Sequence, residues 1–261
     1  AAAAARLGME PLGLRPDELQ IGRGEPVADT ARALAGYVAA IVIRTFSQSM
    51  LEEMAEYADV PVINALSDLH HPCQALADLL TIRERCGSLA GRRLAYVGDG
   101  NNNVAHSLLE AGALAGLDVT MACPAGYEPD AGILDGALRA AKATGARLVV
   151  TRDPQAAAAD ADAVYADVWV SMGEEAERDR RRSDLAAYQV NAELMALARP
   201  EAIFLHCLPA HRGEEVTAEV IDGPRSAVWQ QAANRLPTEE AAMYALISGD
   251  WTHGSGASGR L

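Results

Sequence analysis

The chain is predicted to be an α/β protein of two doubly wound parallel-sheet lobes, the first incomplete at its N-terminus. Three observations lead there. Apolar, β-rich runs alternate with helical patterns from about residue 38 onward. Those runs are apolar throughout, the pattern of parallel strands covered on both faces. Finally, "HPCQALADLLTIRERCG" (71–87) reads as a helix joining two series of such runs, and only two clear strands precede it.

Taken in order, "AAAAARLGM" reads as the back half of an amphipathic helix without a start signal, which is why the front is expected to be missing. "YVAAIVIRTF" and "VPVINAL" supply the strands of the first lobe. The connecting helix starts at Pro72, a first-turn proline behind His71 at the cap position, and ends near Gly87. "RRLAYVG", "LDVTMAC", "ARLVVTR", "ADAVYADVWV", "EAIFLHCLP" and "SAVWQQ" follow as strands of the second lobe. Val104, Leu108 and Ala111 recur at helical spacing after Asn103, and Asp153-Pro154 gives an N-cap and first-turn proline ahead of Gln155 to Ala161. Pro237 to Ser248 reads as a last helix packing back on the first lobe, and "GSGASGRL" has linker composition. The predicted boundaries are 1–70 for the first lobe, 71–87 for the connector, 88–236 for the second lobe and 249–261 for a flexible tail.

Composition narrows the function. A chain of 261 residues, half of them apolar, can bury a sizeable core. Its formal charge of −14 argues against a nucleic-acid partner, which needs a basic surface. The cluster Arg180 to Arg182 sits among acidic residues and reads as a solvated loop. Lys142 is the only lysine, so Schiff-base chemistry and a P-loop lysine are poor candidates. No apolar run is long enough to span a membrane, and no basic segment precedes an apolar one at the start. Cysteines 73, 86, 123 and 207 form no C-x-x-C pair, which reads as reduced thiols in the cytoplasm and neither disulfide framework nor zinc knuckle.

Four stretches could carry chemistry. "GDGNNNVAHSLLEAG" (98–112) follows a strand and opens a helix, partly like a dinucleotide fingerprint; Asn103 stands where the third glycine belongs, and the next strand ends on Cys123 without a ribose-binding acid. Its asparagines are either structural caps or amides facing a ligand at the strand's carboxyl edge. "HPCQ" puts His71 at a helix cap with Gln74 one turn on, suited to a polarised carbonyl or a phosphate; the plainer reading is a capping histidine. "ADVWVSMGEE" places Asp167 at a strand end and Ser171-Met172 in a loop, where carboxylate and hydroxyl could grip an ammonium group; the plainer reading is a turn serine. "FLHCLPAHRGEEV" (204–216) ends a buried run on His206-Cys207-Leu208-Pro209.

Together with "QIGRGEP" (20–26), "IRTF" (43–46) and "NRL" (234–236), these stretches make the sequence resemble the ornithine carbamoyltransferases of the aspartate/ornithine carbamoyltransferase family, over essentially the whole chain. The resemblance implies transfer of a carbamoyl group from carbamoyl phosphate to the δ-amine of L-ornithine, giving L-citrulline and phosphate, without metal or organic cofactor. By position it implies that Gln20, Arg44, His71 and Gln74 hold carbamoyl phosphate, Arg44 and His71 polarising its carbonyl. Cys207, Leu208 and Arg235 complete that pocket. Asn103, with Asn102 as the alternative register, joins Asp167, Ser171 and Met172 on ornithine's α-amino and α-carboxylate groups. Arg44, His71 and Cys207 are the catalytic candidates, Leu208-Pro209 is expected to be cis, and the assembly a homotrimer in arginine metabolism.

Two departures bear on this. The family's phosphate-clamping Ser-Thr-Arg-Thr-Arg string does not occur; its place would lie before Ala1, so the chain as given is expected to have little activity. At "NRLPTEEAAM", Pro237 and Glu240 stand where a histidine and a basic residue are expected. The alternatives are a non-catalytic binding or assembly homologue, a carbamoyltransferase for another amine such as putrescine or an acylated ornithine, and a nicotinamide-dependent dehydrogenase using the Gly98-x-Gly100 turn.

Overall fold

A computed structural model describes residues 1–15, 17–170 and 175–251. Its strands are β1 (Ile41–Arg44), β2 (Val62–Leu66), β3 (Arg93–Val97), β4 (Asp118–Ala122), β5 (Leu148–Thr151), β6 (Ala163–Tyr165) and β7 (Ile203–Leu205). The helices are α1 (Ala2–Arg6), α2 (Val27–Ala35), α3 (Gln48–Tyr57), α4 (Pro72–Cys86), α5 (Asn103–Ala115) and α6 (Ala131–Thr144), then α7 (Pro154–Ala158), α8 (Arg178–Leu185), α9 (Ala192–Leu197), α10 (Ala218–Ile221) and α11 (Val228–Ser248). The chain divides into two compact units, one of residues 1–68 with those from Arg235 onward, the other of residues 69–234. Among the described residues, every strand pair is parallel.

In the first unit β1 pairs with β2, and Ile41 packs with Ala31 of α2 and Met54 of α3. The pairing slips by one residue between Ile43 and Arg44. Ser47 caps α3 by accepting from Met50 N–H. Glu240 of α11 pairs with Arg6 of α1 at 3.2 Å, so the acidic residue at this position gives the last helix an ionic contact within its own unit.

The second unit holds one sheet in the order β5-β4-β3-β6-β7. Its central strand shows why the apolar runs were continuous. Leu94 and Tyr96 belong to one buried cluster with Leu108 and Leu109 of α5, while Ala95 and Val97 belong to another with Met195 of α9 and Val220 of α10. Both faces are covered, so neither needs a polar residue. Helix ends follow local chemistry: Asp130 accepts from Gly132 and Ile133 N–H at the start of α6, Asp153 does the same for Gln155 and Ala156 on α7, and left-handed glycines 87, 116 and 145 close α4, α5 and α6.

Several expectations need correction. "SAVWQQ" is no strand: Ser226 makes a single bridge to Phe204, and the chain turns into α11 at Val228. That helix does not begin at Pro237 but runs through it. α7 stops at Ala158, because Ala159 leaves helical geometry and Asp160 takes a positive φ of 56°. Arg180 to Arg182 lie on α8, not in a loop, and Arg181 is buried. Ser171, Met172 and the tail from residue 252 lie outside the described residues.

Candidate active site

β3 precedes β4 and β5 on one side and β6 and β7 on the other, so the strand order reverses between β3 and β6. Connections leaving neighbouring carboxyl ends in opposite directions open a crevice there, where ligands of such sheets bind. Three of the sequence-predicted stretches leave the sheet around this point: Gly98 to Asn103 after β3, Asp167 after β6, and His206 to Pro209 after β7.

After β3, Gly100 is needed for space. A Cβ there would lie 2.8 Å from Tyr127 O, and Gly100 N–H donates to that oxygen at 2.9 Å. The turn spends its glycine on its own chain, which argues against a pyrophosphate cradle. Asn102 is the cap of α5: its Oδ1 accepts from Ala105 N–H at 2.8 Å, and its Nδ2 donates to Tyr96 Oη and Asp99 O. Asn103, half-buried, is the first residue of the helix.

Two connections fix this turn. Ser107 Oγ accepts from His71 N–H at 2.7 Å and donates to Asn103 O at 2.8 Å, tying the start of α4 to the start of α5. Asp99, 1% exposed, accepts from Arg181 Nη1 at 2.6 Å, and the same guanidinium nitrogen lies 3.4 Å from Trp169 O. Arg181 thus bridges the turn after β3 and the segment after β6. Sequence reading missed it because its partner lies 82 positions away.

Asp167 and Cys207 meet directly: Cys207 Sγ donates to Asp167 Oδ1 at 3.0 Å, and Val168 N–H donates to the same oxygen at 2.8 Å. Burial pushes the Asp167 carboxyl up from the usual range, opposed mainly by the nearby His206. Burial, then Asp167 itself, pushes the Cys207 thiol well above its ordinary value. The sulfur is therefore held as a neutral S–H donor, and not as a thiolate nucleophile.

The corner carrying Cys207 is over-determined. Leu208-Pro209 is cis, and Leu208 has a φ of 59°, a region non-glycine residues seldom enter. Leu208 N–H donates to His206 Nδ1 at 2.8 Å, which places the ring proton on Nε2, 3.3 Å from Glu215 Oε1. Both of those side chains are fully buried. Asp167, His206 and Cys207 bring possible metal-ligand atoms within 4.8 Å of one another, but a metal there would displace the bonds just described.

His71 occupies the N-cap of α4 without a side-chain cap hydrogen bond, which removes the plainer reading of that residue. Gln74, 2% exposed, donates from Nε2 to Asp78 Oδ1 at 2.8 Å. Gln20, Arg44 and Arg235 lie in the first unit. Gln20 precedes a short 3-10 turn, Arg44 is exposed at the end of β1, and Arg235 binds Glu239 Oε1 through Nε at 3.0 Å and Nη2 at 2.7 Å.

Comparison with known proteins places the chain in a family. Residues 1–84 match the carbamoyl-P binding domain of aspartate/ornithine carbamoyltransferase, and residues 90–246 match its Asp/Orn binding domain. An ornithine carbamoyltransferase of Halalkalibacterium halodurans is 59% identical over 94% of this chain and 76% of its own length. One of Acidothermus cellulolyticus is 57% identical over 94% of this chain and 78% of its own. Among solved structures, the ornithine carbamoyltransferase of Pyrococcus furiosus superposes with a TM-score of 0.91 at 50% identity, covering 95% of this chain and 79% of that one. The Thermus thermophilus structure gives 0.83 at 48%, covering 94% and 79%. With both domain descriptions matched in order and about half or more of the aligned residues shared with these relatives, the chain belongs to the aspartate/ornithine carbamoyltransferase family.

Proposed function

We propose that the protein transfers the carbamoyl group of carbamoyl phosphate to the δ-amine of L-ornithine, giving L-citrulline and phosphate. The observation that carries this reading is the pairing of buried Asp167 with half-buried Cys207 at the carboxyl edge beside the reversal of strand order. A poorly solvated pocket disfavours the ammonium form, and the attacking amine must be neutral. Asp167 and Cys207 orient that amine, the Leu208 carbonyl accepts from it, and Asn103 meets ornithine's backbone groups with Ser171 and Met172. Gln20, Arg44, His71, Gln74 and Arg235 bind carbamoyl phosphate. Arg44 and His71 stabilise charge growing on its carbonyl oxygen, and the departing phosphate takes the surplus proton.

The finer assignments belong to the same proposal: residues 1–70 with 237–248 as the carbamoyl-phosphate lobe, 88–236 as the ornithine lobe, a homotrimer, a cytoplasmic site and a role in arginine biosynthesis. Four free cysteines support a reducing compartment. Among the described residues no helix is long and apolar enough to cross a membrane.

The test pairs turnover with binding. The 261 residues contain no Ser-Thr-Arg-Thr-Arg string, so ornithine binding is measured by calorimetry beside citrulline formation. Ornithine should bind in preference to putrescine and N-acetylornithine, and Asp167→Asn should weaken it about ten-fold or more. Preference for another amine, or equal binding by D167N, would overturn the assignment.

A further inference from the structure

Asp78 is a fully buried carboxylate on α4, one turn beyond Gln74, and the chemistry proposed above makes no use of it. Carboxylates are seldom buried without donors. Its Oδ1 accepts from two amides, Gln74 Nε2 at 2.8 Å and, from α11, Gln231 Nε2 at 2.6 Å. Because the same oxygen is the acceptor in both bonds, it dictates which end of each amide faces it. Both NH2 groups turn towards Asp78 and both carbonyl oxygens turn away.

For Gln231 that oxygen continues the relay: Oε1 accepts from His206 N–H at 2.9 Å, and Nε2 also reaches Tyr165 Oη at 3.2 Å. Burial holds the Tyr165 phenol well above its ordinary value, so it stays neutral. For Gln74 the same constraint makes Oε1 the end directed away from Asp78. A carbamoyl group ends in an NH2 donor, and an acetyl group of nearly equal shape ends in a methyl. An acceptor in a fixed orientation separates the two, because the methyl leaves the acceptor unpaired.

We infer that Asp78 and Gln231 are positioning residues for carbamoyl transfer: they fix Gln74 as an acceptor for the carbamoyl nitrogen and hold His206, and with it Cys207, in register with α4. This rests on the carbamoyl-transfer reading. Gln231→Glu sets a second carboxylate against Asp78 and breaks the relay. The exchange D78N/Q231E restores a complementary chain, in which the asparagine at 78 accepts from Gln74 and donates to the new carboxylate, whose second oxygen takes His206 N–H.

Two readouts separate the inference from that reading. In cold 31P NMR titrations, Q231E should weaken carbamoyl phosphate about ten-fold while leaving acetyl phosphate within two-fold, and D78N/Q231E should recover most of the loss. Mass-spectrometric mapping of iodoacetamide alkylation should show Cys207 modified several-fold faster in Q231E and near the parent rate in the exchange. If the parent protein binds neither phosphate, as its lack of a Ser-Thr-Arg-Thr-Arg string allows, alkylation alone decides: faster modification of Cys207 in Q231E supports the relay, and an unchanged rate overturns it. Parent protein that binds carbamoyl phosphate, with Q231E matching it for both ligands and for alkylation, overturns the inference. Should Q231E fail to fold, Gln231→Met is read the same way, and an unchanged ligand ratio with unchanged alkylation counts against the relay.

Discussion

Asn102 and Asn103 are neighbours in different settings, the cap and the first residue of α5. Both ends of the Asn102 amide are bound, to Ala105 N–H on one side and to Tyr96 Oη and Asp99 O on the other. Losing such a cap costs about 1–2 kcal/mol, so Asn102→Ala should lower Tm by roughly 2–8 °C. Asn103→Ala should leave Tm nearly unchanged and weaken ornithine about ten-fold; calorimetry and thermal melts on the two variants separate the roles. His106 makes a pH prediction. Its Nδ1 faces Leu69 O at 3.1 Å and its Nε2 accepts from Asp130 N–H at 3.1 Å, so the folded ring is neutral. Burial lowers its pKa, helped by His70 and opposed by the Leu69 carbonyl and by Asp130 and Glu110. The unfolded imidazole takes up a proton near pH ~6.5, so the unfolded state binds more protons below that value and stability falls as pH drops through it. Melts between pH 7.5 and 5.5 should show a decline that His106→Gln flattens; an equal decline in both would remove the explanation. The histidine itself could be seen in "NNNVAHS", but its bonds to Leu69 and Asp130 join segments that no local pattern connects.

α8 shows where reading a string of residues fails. "RDRRRSD" is polar throughout, and local charge counting places all of it in solvent. Successive residues on a helix point about 100° apart, so Arg181 alone turns inward, over the Tyr127 ring at 5.3 Å and onto Asp99. Truncating one partner of a buried pair leaves the other uncompensated at about 3–5 kcal/mol. Arg181→Met should therefore destabilise the protein by that order in denaturant titrations, and D99N/R181M should recover part of it. A loss under 1 kcal/mol would show that the pair is solvated. By contrast, β3, β4, β6 and β7 were legible because strands covered on both faces are mostly apolar, the polar exceptions Arg93, Asp118 and Thr120 being only half-buried. "SAVWQQ" shares that composition, yet it makes one bridge beside β7 and then coils, a choice set by its neighbours.

Stability should differ between the two units. Among the described residues, the larger carries a five-stranded sheet with a buried cluster on each face, whereas the smaller shows two strands and a modest cluster around Ile41. Two-stranded sheets are marginal without further packing, so β1 and β2 should exchange amide hydrogens much sooner than β3, β4 and β6 in mass-spectrometric exchange. Slower exchange in β1 than in β3 would contradict this. Motif order along the sequence was enough to identify the family. The side chains that hold those motifs in place, Asp78, Gln231 and Arg181, were not legible, because each acts through a partner distant in sequence.

The uniformly parallel strand direction has a practical corollary for anyone attaching a probe. The motifs that follow β3, β6 and β7 leave the large sheet at its carboxyl rim, which frees the opposite rim for engineering. The turn between α6 and β5 sits there, with Thr144 and Gly145 exposed and nothing within 4 Å of a Cβ added at Gly145. A dye or short tag spliced into that turn would report on the protein from the rim opposite Asp167 and Cys207.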